Sequence, residues 1–250
     1  MGDPYHLGIL IAAGFFAGAL NAIAGGGSFL TFPALVYVGV PPIPANATST
    51  VAVFPGYLSS ALGFFKEIKN FGMKPLLKLV GLAVIGGVAG SLLLLVTPSD
   101  VFRFVVPYLL LFATVLFAFG DRVSVFLAER RAGEAPSRPW LPTLAVSTYG
   151  GYFNGGLGIV LLALFSAQGY RDLNLMNGLK NVISFILSAA SIATFAVAGI
   201  VEWNEAAVMA VAATVGGYAG AAIAKRLPKR IARRFIVCVG LVMTVLFFVN

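Results

Sequence analysis

The residues best suited to chemistry in this chain are almost all uncharged. Asn21-Ala-Ile-Ala-Gly25-Gly26-Gly27-Ser28 places an amide, three consecutive glycines and a hydroxyl in one short run. Glycine costs about 1 kcal/mol relative to alanine in a helix interior, so a helix is expected to break at the triplet. Asn154-Gly155-Gly156-Leu157-Gly158 repeats the pattern later in the chain, and both runs lead into a short apolar stretch. A break at such a place frees backbone N–H groups, and the N-terminus of the next helix adds the positive end of its dipole. The backbone of Gly25, Gly26 and Gly27, with that of Gly156 and Gly158, is thus a candidate anion cradle, to which Asn21, Ser28 and Asn154 add side-chain donors. Gly14-xxx-Gly18, Gly86-xxx-Gly90 and Gly216-xxx-Gly220 read instead as close-packing faces of helices.

A second pair of constellations lies further along. Asn46-Ala-Thr48-Ser49-Thr50 is matched by Asn177-Gly-Leu-Lys180-Asn181. The first offers amides and hydroxyls (Asn46, Thr48, Ser49) where the second offers an ammonium and amides (Asn177, Lys180, Asn181), and both sets suit an oxyanion. Lys180 stands among Leu175, Met176, Leu179, Val182 and Ile183. Inserting a lysine near mid-membrane costs about 2.5–3.5 kcal/mol, which a bound anion would offset; the alternative is a side chain that snorkels to the headgroups. No carboxylate lies deep in an apolar segment, so nothing resembles the acidic coupling-ion site of many cation-driven carriers. One His and one Cys cannot build a metal centre, and neither a catalytic group nor a cofactor motif stands out.

These groups sit on apolar segments near 6–24, 28–40, 45–65, 75–96 and 101–120, and again near 140–157, 158–169, 174–200, 206–224 and 235–250. The two series match as an internal repeat. Gly86-Gly87-Val88-Ala89-Gly90 aligns with Gly216-Gly217-Tyr218-Ala219-Gly220, and at the same offset Pro98, Arg103 and Thr114-Val115-Leu116-Phe117 meet Pro228, Arg233 and Thr244-Val245-Leu246-Phe247. Gly18 and Asn21 pair with Gly151 and Asn154, and Asn46 with Asn177. The charges assign opposite orientations to the halves under the positive-inside rule. Lys66, Lys69 and Lys74 follow the third segment of the first half, whereas Lys225, Arg226, Lys229, Arg230, Arg233 and Arg234 follow the fourth segment of the second. Both termini are then expected outside the cytoplasm, and each repeat crosses an odd number of times. Five crossings satisfy this, as do three plus a hairpin that returns to its starting face, giving eight to ten segments.

Composition excludes most other classes. Only 10% of the 250 residues are charged and 59% are hydrophobic, against about 25% charged in soluble domains. No Asp, Glu, Lys or Arg occurs between Asp3 and Lys66, a run long enough for more than one span of about 20 residues. The net charge of +8 gathers in short loops, which points to membrane topology rather than to nucleic acid. The expected fold is an all-α polytopic membrane protein of two inverted-topology repeats with broken, glycine-rich helices. The repeats occupy 1–120 and 140–250 and are joined by a polar cytoplasmic connector, 121–139. Inverted repeats recur in secondary transporters, with the substrate near the midplane between them. The expected partners are a small anionic substrate and the lipid bilayer, and self-association into a homo-oligomer is left open. A membrane-embedded enzyme would want a metal cluster or a nucleophile with a base, and a scaffold gains nothing from paired helix breaks.

The opening GFFAGALNAIAGGGSFLTFPALVYVGVPPIPANATST and its echo GGYFNGGLGIVLLALFSAQGYRDLNLMNGLKN resemble the TauE/SafE family of membrane transporters, the sulfite exporter group, across nearly the whole chain. By position, the family's opening motif falls on Gly18, Gly25, Gly26, Gly27, Pro33 and Gly39, and its second-half Lys-Asn on Lys180 and Asn181. Leu157 departs from a repeated glycine triplet. The resemblance implies a multi-pass plasma-membrane exporter of sulfite, an organosulfonate or a related anion, with an uptake carrier for a related anion as the alternative.

Overall fold

The computed structural model describes residues 3–24, 26–130, 140–224 and 229–249. Gly25, the connector beyond Arg130, and Lys225, Arg226 and Pro228 lie outside the described residues. Every regular element described is an α-helix: α1 (Pro4–Ala24), α2 (Ser28–Tyr37), α3 (Pro42–Gly63), α4 (Phe65–Phe71), α5 (Met73–Val96), α6 (Ser99–Arg130), α7 (Trp140–Tyr152), α8 (Leu157–Ala167), α9 (Leu173–Val197), α10 (Trp203–Ala224) and α11 (Lys229–Val249). This is what a bilayer demands of an uninterrupted chain, because a helix satisfies its own backbone polar groups. Pro4–Asn21, Met73–Val96, Ser99–Gly120 and Leu173–Val197 are long and apolar enough to cross a membrane. The chain is an all-α polytopic membrane protein.

Three features differ from the sequence expectation. A short helix, α4, follows the third segment, because the backbone leaves helical geometry at Phe64 and resumes up to Gly72, whose φ is 94°. The helix α6 runs through the first ten residues of the expected connector to Arg130, since neither proline nor glycine lies between Gly120 and Arg130 to stop it. The third helices begin at Pro42 and Leu173, the latter capped by the Asp172 carboxylate, which accepts from the N–H groups of Asn174 and Leu175. Asn46 and Asn177 therefore sit about one turn inside their helices rather than at exposed N-termini.

The short helices define the architecture. With 10 and 11 residues, α2 and α8 each rise about 15 Å, half of a hydrocarbon core of about 30 Å. Both turn back against the helix before them. The Gln168 amide just past α8 donates to the Thr143 hydroxyl in the first turn of α7, at 2.9 Å. Val38 and Val40 after α2 line one cavity with Leu7 and Leu10 of α1. Thus α1–α2 and α7–α8 are helical hairpins that return to the end of the bundle where they began, with tips at 24–28 and 152–157. The same backbone turn closes both: Val40 N–H bonds Leu35 O and Tyr170 N–H bonds Phe165 O, around Gly39 and Gly169 at φ 95° and 91°.

The packing interlocks the halves. The most extensive pairings are α1 on α10 and α5 on α7, each joining the first helix of one half to the fourth apolar segment of the other. Glycine makes these contacts possible. A Cβ on Gly18 would strike the Ala213 carbonyl and one on Gly216 the Phe15 carbonyl, while one on Gly90 would strike the Thr148 carbonyl and one on Gly151 the Gly87 carbonyl. Two bundles result: α1, α2, α3, α10 and α11, and α5, α6, α7, α8 and α9. They meet chiefly where α3 packs on α9 and α6 on α11. At the first seam the Phe54 and Phe185 rings stack at 4.5 Å, 13° apart, and at the second Tyr108 and Phe248 meet edge-on at 5.1 Å.

Candidate functional site

The two hairpin tips come together in the interior. Phe32 of α2 meets Phe153 edge-on at 5.6 Å, and a Cβ on Gly156 would stand 3.6 Å from the Phe29 ring. The second tip needs its glycines. Gly156 carries φ 72°, a left-handed conformation that other residues adopt at a cost, and its carbonyl accepts the N–H groups of Ile159 and Val160 to start α8. The Gly155 carbonyl is held by the Tyr149 hydroxyl at 2.6 Å. At the first tip, Gly26 and Gly27 accept the N–H groups of Phe29, Leu30 and Thr31. Gly27 itself leaves no room for a side chain, since its Cβ would fall 2.9 Å from the Ala17 carbonyl.

The centre of the site is a residue outside the sequence candidates, Tyr57 of α3, which is buried. Its hydroxyl donates to Asn154 Oδ1 at 3.1 Å, and Ser28, the first residue of α2, stands beside the same phenol. Asn21 reaches the same stretch of α3, its Nδ2 lying 3.3 Å from where a Cβ on Gly56 would be. Asn21, Ser28 and Asn154 thus converge on Gly56-Tyr57 from two hairpins. The sequence carried a signal for this: a lone tyrosine in an uncharged span must find a partner for its hydroxyl once buried.

Within this cluster one atom stands alone. Asn154 is only 3% exposed, and its Nδ2 has no hydrogen-bond partner. An unsatisfied buried donor costs about 1–3 kcal/mol, a cost that an acceptor placed beside it would offset. Gly158, buried in the first turn of α8, lies just beyond.

The first-half polar set on α3 is used for construction instead. Asn46 Nδ2 donates to the Tyr152 carbonyl at 2.9 Å, tying α3 to the end of α7. Thr48 Oγ1 accepts the Glu202 N–H at 3.0 Å, anchoring the entry to α10. Ser49 and Thr31 hydroxyls pair at 2.6 Å and fix α2 to α3.

The second-half set on α9 is less committed. Lys180 is buried, and its Nζ bonds Asn177 Oδ1 at 3.2 Å, one turn back toward the start of the helix. Asn177 Nδ2 in turn donates to the Leu173 carbonyl at 2.8 Å. Among the residues whose side chains are described, no carboxylate pairs with Lys180 and no Asp or Glu is buried. Asn181 is buried as well, and one and two turns further along α9 the hydroxyls of Ser184 and Ser188 are buried without a partner. Asn177 and Lys180 form their own pair and are not part of the Tyr57 cluster.

Comparison with known proteins points to a membrane transporter family. The family model for the sulfite exporter TauE/SafE matches residues 10–247. A protein of Haemophilus influenzae named "Probable membrane transporter protein" is 28% identical over 95% of this chain and 92% of its own length. "Probable membrane transporter protein ORF9" of a Sinorhizobium species is 25% identical over 96% and 92%, respectively. "Probable membrane transporter protein YfcA" of Escherichia coli K12 is 26% identical over 98% and 90%. No solved structure matches. The chain is a multi-pass membrane transporter.

Proposed function

We propose that this chain, which belongs to the sulfite exporter TauE/SafE family, is a secondary transporter that exports a small sulfur-containing anion, sulfite or an organosulfonate, across the plasma membrane. The observation that carries the reading is the free amide donor of Asn154, set where two hairpin tips meet and flanked by Asn21, Ser28 and Tyr57. The site offers donors and lacks a carboxylate, so an oxyanion completes it and a cation does not. Lys180, buried without an acidic partner, adds a positive charge to the path on the α9 side. An inside-negative potential of about 100 mV favours exit of a monovalent anion by about 2.3 kcal/mol, so export needs no coupling ion.

The two halves act as inverted repeats. Phe54 and Phe185 hold equivalent places relative to Asn46 and Asn177, and they stack on one another, as expected if a pseudo-two-fold axis runs between α3 and α9. The α6–α11 seam pairs equivalent helices too. Rocking of the two bundles about these seams would expose the tip cluster to one face and then the other, in the manner of transporters built from repeats. Lys66, Lys69 and Lys74 mark the cytoplasmic end, with both chain ends outside.

Efflux of sulfite, sulfate and methanesulfonate from proteoliposomes, with and without an inside-negative potential, tests the reading. Selective efflux of one or more of these anions that speeds up with the potential is expected. Absence of flux for all three under both conditions would overturn it.

A further inference from the structure

We infer that Tyr57 is the positioning residue that makes the site selective for hydrogen-bond acceptors, by fixing which way the Asn154 amide faces. The inference rests on the anion-transport reading. A primary amide presents an acceptor on one side and two donors on the other, and a site that is to bind an anion must be kept from presenting the wrong side. Here the phenolic O–H donates to Asn154 Oδ1 at 3.1 Å, which commits the carbonyl side to α3. The Nδ2 side is left pointing away, buried and unpartnered. Ser28 of the first hairpin tip stands beside the same phenol, so both tips meet at Tyr57. The packing leaves Tyr57 little freedom, since it is only 4% exposed.

The consequence concerns the class of substrate. The oriented amide favours a ligand whose contacting atoms are all acceptors, such as a deprotonated sulfonate or sulfite oxygen, over a neutral isostere that also carries N–H donors. Without the phenol hydroxyl the amide is free to turn over, and its carbonyl then faces the ligand part of the time. The residue acts through Asn154 and does not itself need to touch the anion.

The test is Tyr57→Phe, measured by proteoliposome transport of methanesulfonate against neutral methanesulfonamide, together with Asn154→Ala and the double variant. Tyr57→Phe is expected to raise the half-saturating methanesulfonate concentration by about tenfold, the scale of one hydrogen bond to a charged group, and to narrow its preference over the sulfonamide. In the Asn154→Ala background the same substitution is expected to change neither quantity, the non-additivity of residues acting as a unit. A role in packing alone would give equal effects in both backgrounds and an unchanged preference, and that result overturns the inference. Wild-type protein that carries no anion would sink the functional reading instead. Wild-type transport with an unaltered Tyr57→Phe variant would sink only the role given to Tyr57.

Discussion

The third long segments of the two halves, α3 and α9, pack on one another and use the polar residues near their starts differently, although Ser191 further along α9 does bond the Gly87 carbonyl of α5. On α3, Asn46, Thr48 and Ser49 are each joined to another element: the end of α7, the entry to α10 and the α2 helix. On α9, Lys180 has one neutral partner from its own helix, and Ser184 and Ser188 have none. A polar group buried in a membrane protein can be structural cement or part of a route for a polar ligand. The difference lies in whether its bonds are already made.

The contrast is broken most severely at Asn46. Replacing it with Ala leaves the Tyr152 carbonyl without its amide donor and unties α3 from α7. The expected loss is about 1–3 kcal/mol of stability, read as a lower unfolding temperature of the purified protein in detergent. The matching change on α9, Lys180→Met, removes a buried charge that has no acidic partner. Such replacements are neutral to stabilising, so the unfolding temperature should hold or rise while anion efflux falls about tenfold, the equivalent of about 1.4 kcal/mol. If Lys180→Met instead lowered stability and spared transport, the assignment of the two helices would be reversed.

Much of the fold is legible in the sequence because membranes leave few choices. Uninterrupted apolar stretches became helices, and the glycine runs at 25–27 and 155–158 marked where they break. The close-packing role of Gly18, Gly90 and Gly216 could also be read, since spaced glycines are the simplest way to bring two backbones together. What the pattern does not encode is the partner. That α1 packs on α10 and α5 on α7 follows from three-dimensional threading of two halves, not from any local spacing. The extension of α6 through a charged stretch escaped notice because charge was read as loop, whereas helix continuation depends on the absence of glycine and proline. Residue types singled out Asn21, Ser28 and Asn154 beside the breaks, and the structure places all three near the hairpin tips. They could not distinguish the spent donors of Asn46 from the free donor of Asn154, because that difference is set by what stands opposite. Tyr57 was passed over because an aromatic in an apolar span looks like packing until its hydroxyl is followed to its partner.

The central claim, that the meeting point of the hairpin tips receives an anion, is tested most directly by cysteine accessibility at Ser28. With Cys238, the only native cysteine, changed to Ser, a Ser28→Cys variant can be labelled in membrane vesicles by an impermeant thiol reagent applied to each face in turn. The account predicts labelling from at least one face and a several-fold slower rate in saturating methanesulfonate or sulfate. Labelling at the same rate with and without either anion, or no labelling from either face, would contradict it.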